Sequence, residues 1–275
     1  MRLGLFTAGY QYRQLEDAFR DARNFGYDYI ELWGGYPHAF APELDRERIR
    51  AIRGLAGQYG IPVEIFTPEH NAYPFNYMLG DEKCRRDASA YLQLAISKAR
   101  ELGAGKMLLS VGHGESFRSP REKRQRLLRT LEELLPAAER ENVVLLLEPL
   151  TRWESDTCTT LDELQSVLEE VDSPFLQGIC DLVVPFTGGE DPADYPRRLG
   201  SRLGHLHLVD SDGVSETHLV PGEGKIPLKK ILRDFLAAGY DGTATIELVT
   251  NYIDCQSQAS KKAIENVKEI LECIK

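Results

Sequence analysis

Cysteine is scarce and unpatterned: Cys84, Cys158, Cys180, Cys255 and Cys273 are odd in number, scattered, and form no Cys-x-x-Cys pair. This argues against a disulfide framework and for reduced thiols in a cytoplasmic setting. No apolar run approaches the ~18 residues of a membrane helix, so no membrane association is expected. The opening MRLGLFTAGYQYRQLED turns polar too early for a signal peptide. There is no Ser/Gly/Pro-rich linker and no low-complexity tract, and residues 1–275 are expected to form one domain. Clustered basic residues are missing too. With 33 Lys and Arg against 43 Asp and Glu the formal charge is −10, which opposes binding to a phosphate backbone, so no nucleic-acid partner is expected.

What is present is an alternation of short apolar runs with amphipathic stretches. Strands are expected at Arg2 to Thr7, Tyr27 to Leu32, Ile61 to Phe66, Lys106 to Val111, Val143 to Glu148, Phe175 to Asp181, Leu203 to Val209 and Thr243 to Val249. Between them, apolar residues recur at helical spacing, as in Leu15/Ala18/Phe19/Ala22 and Ala88/Leu92/Ala95/Ala99/Leu102. Gly26 and Gly60 mark helix ends. Ser119-Pro120-x-Glu122 and Thr160-x-x-Glu163 mark helix starts, and Asp191-Pro192 opens a short helix. Strand followed by helix, eight times over, implies parallel strands with helical crossovers. Eight units in a chain of this length suit a closed (β/α)8 TIM barrel. An open doubly wound sheet would usually carry G-x-G-x-x-G after its first strand, where this chain has TAGYQY.

In such a barrel chemistry sits at the C-terminal strand ends. The fifth strand, VVLLLE, stops at Glu148, and Pro149 bars the ladder from continuing. The sixth ends at Asp181. The seventh carries His205 and His207 on one side, and the eighth reaches Glu247. Barrel closure brings Glu148, Asp181, His207 and Glu247 round one rim. Three carboxylates and an imidazole at one point repel unless a cation lies among them. Mixed oxygen and nitrogen donors suit a divalent ion: manganese, cobalt, nickel, iron or zinc. A single strand-end acid is ordinarily a loop or helix cap, and His205 is expected to be a core histidine bonded to a backbone carbonyl.

Further candidates follow earlier strands: His38, Glu69, His70, Asn71 and His113, with Trp33, Tyr36, Phe40, Tyr73, Phe75 and Trp153 as an apolar wall for a sugar ring or an alkyl chain. The segment GEGK at Gly222 to Lys225 lacks phosphate-loop spacing and reads as a tight turn near the mouth.

The strand ends, with HLHLVDSD followed by HLVPGEGK, resemble the xylose-isomerase-like barrel superfamily of sugar isomerases, epimerases and abasic-site endonucleases. The segments LGLFTAGY, YIELWGGYPHAFAPEL, TPEHNAYPFNYMLGDE, LLLEPLTRWESD, HLHLVDSDGVSETHLVPGEGKIPL and TIELVTNY are similar, within it, to the fructoselysine 3-epimerase family. That resemblance implies a cytoplasmic, metal-dependent isomerase that interconverts fructoselysine and psicoselysine, with a sugar or sugar-amine as partner. It implies Glu148, Asp181, His207 and Glu247 as metal ligands, with Glu148 and Glu247 as the acid/base pair. It also implies Glu154 as a substrate contact, with Glu69, His113, Trp33, His38, Trp153 and His218 as further substrate-binding candidates. Free-sugar ketose 3-epimerases carry a His three residues after the metal Asp and an Arg six after the metal His. Here those positions are Val184 and Gly213. An aldose–ketose isomerase, a ketohexose 3-epimerase, an abasic-site endonuclease-like protein and a non-catalytic sugar-binding barrel are the alternatives. Assembly into a homo-oligomer is compatible with all of them.

Overall fold

A computed structural model describes residues 1–274. Eight parallel strands close into a barrel in chain order: β1 Arg2–Phe6, β2 Tyr29–Gly34, β3 Val63–Pro68, β4 Lys106–Ser110, β5 Val144–Glu148, β6 Leu176–Asp181, β7 Leu203–Leu208 and β8 Thr243–Ile246. β8 pairs back onto β1, with Leu3 opposite Ala244 and Leu5 opposite Ile246. The (β/α)8 TIM barrel expected from the alternation is the fold observed.

The helices form because their apolar stripes have the barrel to lie on and their ends are capped. α1 Leu15–Phe25 and α2 Arg46–Tyr59 end at Gly26 and Gly60, both left-handed with φ 78° and 65°. α3 Glu82–Leu102 follows. α4 Pro120–Glu141 opens with the full capping box of Ser119 and Glu122. At α5 Leu161–Val171 only half the expected box forms. Thr160 accepts from the Glu163 N–H, while the Glu163 carboxylate turns to the Thr159 N–H at 2.7 Å. After β6 there are two short helices rather than one, α6 Val183–Gly188 and α7 Asp194–Leu199. The extra one starts where Asp181 Oδ1 captures the Val183 N–H at 3.0 Å. α8 Leu228–Ala237 and α9 Gln256–Glu272 complete the ring. No helix among the described residues is long and apolar enough to cross a membrane.

Side chains alternate between the helix layer and the barrel interior, as the two-residue period of a strand requires. The outward set, including Ile30, Leu32, Leu145, Leu147, Leu206 and Leu208, belongs to the main core under the helices. The inward set forms a separate small cluster, Tyr29, Ile65, Leu108, Leu146 and Ile179. Gly4 exists because the Tyr29 ring crosses its face; a Cβ there would stand 2.2 Å from it. Two residues beyond each inward apolar residue lies an inward polar one: Glu31 past Tyr29, Thr67 past Ile65, Ser110 past Leu108, Glu148 past Leu146, and Asp181 past Ile179. β2 does not stop at Leu32 as expected; it runs on to Gly34, which leaves Glu31 in mid-strand, fully buried.

Candidate active site

The polar layer meets at the C-terminal mouth of the barrel. Register sets it: Ser110 pairs with Glu148 across β4 and β5, and Asp181 with His207 across β6 and β7. Glu148 Oε2 accepts from the Ser110 hydroxyl at 2.7 Å. Its other oxygen lies 3.1 Å from His207 Nδ1, and Glu247 Oε2 lies 3.0 Å from the same nitrogen. Glu247 Oε2 is also 3.3 Å from His218 Nε2, which stands 3.9 Å from Asp181 Oδ2. One donor atom each from Asp181, His218 and Glu247 falls within 4.8 Å of the others. The structure thus brings Glu148, Asp181, His207 and Glu247 together at one rim, with His218 beside them.

Electrostatics describe the same crowding. Burial, and then the neighbouring Glu247 charge, push the Asp181 carboxyl up to about 8. Burial also raises Glu148. Burial would raise Glu247 as well, but His207 and His218 outweigh it and hold Glu247 low. The two imidazoles are driven well above their ordinary value against burial, His207 chiefly by Glu247 and Glu31, His218 chiefly by Glu247 and Glu216. Three buried carboxylates at this spacing stay ionised together only with positive charge between them.

A divalent cation fits this donor set. His207 Nδ1 is fully buried, has no well-aligned hydrogen bond, and faces the gap between two carboxylate oxygens. In the neutral ring it would offer a lone pair to an ion in that gap. The 3.1 and 3.0 Å separations of Nδ1 from the two carboxylate oxygens are short enough for all three atoms to share one small cation. Asp181 and the outward oxygens of Glu148 and Glu247 would complete a mixed oxygen/nitrogen shell.

The mouth opens into a cavity of about 270 Å³ lined by Phe6, Trp33, Glu69, Asn71, Glu154, Glu216 and His218, among others. Trp33 Nε1–H donates to Glu69 at 2.8 Å. Glu154 accepts from the Thr151 hydroxyl at 2.8 Å; burial, then the Glu216 charge, push it up to about 7. Of the seven sequence candidates for substrate contact, Trp33, Glu69, Glu154 and His218 thus line the cavity. His38, His113 and Trp153 do not. The His38 ring is spent on the Arg13 carbonyl at 2.9 Å and meets Trp33 edge-on. The His113 Nδ1 bonds the Gly114 carbonyl at 2.7 Å. Trp153 is 43% exposed with Arg152 over its ring. His70 is a staple: its Nε2 accepts the Ser110 N–H at 2.9 Å, while Nδ1 faces the Pro68 carbonyl. Phe40 and Phe75 pack on Tyr91.

Three residues at the site escaped the sequence reading. Glu31 and Ser110 were detectable from strand alternation alone. Glu216, whose carboxylate lies 3.0 Å from His218 Nδ1, sits on a loop with no periodicity to reveal it. That loop is anchored by Asp210, which accepts from the Ser211, Gly222 and Ile226 N–H groups at 2.8 to 2.9 Å. This explains GEGK. Gly222 adopts φ 94°, and a Cβ on Gly224 would stand 2.3 Å from Asp210 Oδ1.

Residues 19–275 match the model of the xylose isomerase-like TIM barrel family. The chain is 43% identical over 271 residues, 98% of both chains, to the fructoselysine 3-epimerase of Shigella flexneri. Among solved structures it superposes on a D-tagatose 3-epimerase-like protein with TM-score 0.85 at 22% identity, covering 100% of this chain and 98% of the other. It superposes on the D-psicose 3-epimerase of Clostridium cellulolyticum H10, a structure with D-tagatose, with TM-score 0.84 at 17% identity and full coverage of both. At those identities the structural likenesses speak for the fold; the extended sequence identity narrows the group. The chain belongs to the xylose isomerase-like TIM barrel family and, within it, to the fructoselysine 3-epimerase group.

Proposed function

We propose that this protein is a divalent-metal-dependent ketose 3-epimerase acting on an amine-bearing ketose of the fructoselysine type. One observation carries the reading: Glu148 and Glu247 each bring an oxygen within 3.1 Å of the same histidine nitrogen from strands three apart in an eight-stranded ring. Two carboxylates thus approach one point from well-separated directions, as inversion of a carbon requires.

Glu148, Asp181, His207 and Glu247 would hold the ion. When bound, it would supply Lewis-acid polarisation of the ketone oxygen and the adjoining hydroxyl. The chain's own residues do the rest. One glutamate takes the hydrogen on carbon three from one face of the sugar, and the other returns a proton to the opposite face. Their environments differ as the task demands. Glu148 has a Ser110 hydroxyl on its far oxygen, whereas Glu247 faces two imidazoles. Trp33 and Phe6 give the sugar an apolar wall.

The cavity wall supports an amine-bearing substrate. Glu69, Glu148, Glu154, Asp181, Glu216 and Glu247 line it, and no Lys or Arg is among its lining residues. An ammonium group is drawn to such a wall and a sugar phosphate is repelled. Val184, buried in α6, and Gly213 stand where free-sugar epimerases hold hydroxyls, which weighs against a free ketohexose.

Deuterium labelling tests the reading. Turnover of fructoselysine by the metal-loaded enzyme in deuterated water should label carbon three of the product and no other carbon. Glu148→Gln and Glu247→Gln should each abolish epimerisation, and each should exchange the hydrogen of one epimer only. Label at carbon one would identify an aldose–ketose isomerase instead, and unlabelled product or near-wild-type rates in both variants would refute the two-glutamate mechanism.

A further inference from the structure

Beneath the mouth, a line of polar groups runs along the barrel axis and takes no part in the proposed proton transfers. At its foot Lys106, the first residue of β4, donates to the Gly204 carbonyl at 2.8 Å and to Thr243 Oγ1 at 3.3 Å. Thr243 Oγ1 is 2.8 Å from His205 Nδ1. His205 Nε2 is 3.2 Å from Glu31 Oε2, and His207 Nε2 is 3.2 Å from Glu31 Oε1. The Thr67 hydroxyl also donates to Glu31 Oε1 at 2.6 Å. Glu31, His205 and His207 are all fully buried, away from bulk solvent.

Donor counting gives the line one polarity. A carboxylate only accepts, so His205 Nε2 and His207 Nε2 each present a hydrogen to Glu31. In a neutral His205 ring Nδ1 is then the acceptor, facing the Thr243 hydroxyl. The Glu31 carboxylate accepts from His205, Thr67 and His207. In the neutral His207 ring, with its hydrogen on Nε2, Nδ1 offers a lone pair between Glu148 and Glu247. The two rings stand edge to face at 90° with centroids 5.1 Å apart.

We propose that Glu31 is the positioning residue of the metal centre: fixed by the Lys106–Thr243–His205 line below and by Thr67 beside it, it holds His207 in the one tautomer and orientation that present Nδ1 to the ion. Carboxylate–histidine–metal arrangements of this kind commonly raise metal affinity 10- to 100-fold. The inference rests on the metal site proposed above. Glu31, His205 and His207 also offer atoms close enough to bind a cation themselves, but the polarity just derived places hydrogens on both Nε2 atoms, where such a cation would need lone pairs.

Two measurements test it. In the full chain labelled with 15N-histidine and loaded with zinc, His207 should carry its hydrogen on Nε2 and bind zinc through Nδ1, and His205 should carry its hydrogen on Nε2. A His207 hydrogen on Nδ1, or zinc on either Nε2, overturns the proposal. Separately, manganese affinity by titration calorimetry should fall on the order of 10- to 100-fold in Glu31→Leu. It should fall less in Glu31→Gln, whose amide oxygen still accepts from Thr67 and His207. Wild-type affinity in a folded Glu31→Leu refutes the positioning role and leaves the metal centre standing. Failure of the wild-type chain to bind manganese or zinc refutes both. Should Glu31→Leu not fold, the wild-type tautomers decide.

Discussion

Glu154 links substrate charge to pH in a way that can be worked out from its surroundings. Its carboxyl lines the cavity and is raised from 4.5 to about 7, first by burial and then by the Glu216 charge. The folded chain therefore binds a proton here between pH 4.5 and 7 that the unfolded chain has lost, so stability falls as pH rises through that window. At about 1.4 kcal/mol per unit the ceiling is roughly 3 kcal/mol, and partial exposure of the side chain lowers it. Glu154→Gln removes this cost, so it should raise the denaturant midpoint at pH 8 and leave it nearly unchanged at pH 5. Binding an ammonium substrate works in the opposite sense, because only the ionised form attracts it. The ionised fraction rises about tenfold between pH 6 and pH 8 for a group titrating near 7. KM for fructoselysine should fall by up to that factor over the same interval, whereas KM for free fructose should not follow it. In Glu154→Gln the fructoselysine KM should rise and lose its pH dependence. A variant no more stable than wild type at pH 8, together with a pH-independent KM in wild type, would refute both halves of the reasoning.

Other outcomes follow from the same geometry. His207→Ala and Asp181→Ala should lose the bound divalent ion, measured by elemental analysis of the purified protein, and lose turnover, while far-UV circular dichroism stays unchanged; retention of stoichiometric metal in both would remove these residues from the shell. Asp210→Asn leaves one of three backbone N–H groups facing an amide N–H, at about 1–3 kcal/mol for an unsatisfied buried donor. Because the loop it anchors carries Glu216 and His218, kcat/KM should drop along with the unfolding midpoint. A drop in stability with unchanged kcat/KM would show that the loop holds its place without Asp210.

Why the barrel was readable and part of the site was not comes down to periodicity. Each strand has a period of two and each helix 3.6, so apolar residues placed eight strands and their helices in the chain. The same period, applied inward from Leu146, Ile179 and Leu108, selects Glu148, Asp181 and Ser110 as mouth residues. Applied from Tyr29 it selects Glu31, which the expected strand, stopping at Leu32, leaves too near its end to stand out; the ladder's continuation to Gly34 puts it in mid-strand. His205 was expected to bond a backbone carbonyl. Its real partners, Glu31 and Thr243, lie 174 and 38 residues away, and only barrel closure brings them to it. Loop residues have no such rule. His38, His113 and His218 all follow strands and all read as mouth histidines, yet two turn to nearby backbone carbonyls and only His218 enters the site.

What separates His218 is its support. The Asp210–Leu219 bridge and the three N–H groups on the Asp210 carboxylate fold the 211–226 loop back over the mouth. A histidine without that frame has a carbonyl one residue away as its cheapest partner, as His113 does with Gly114. A loop side chain reaches an active site when a buried acceptor fixes the loop's own backbone. The sequence signal for it is therefore an acid just beyond a strand followed by glycines about a dozen residues later, as in Asp210 and Gly222, rather than the histidine itself.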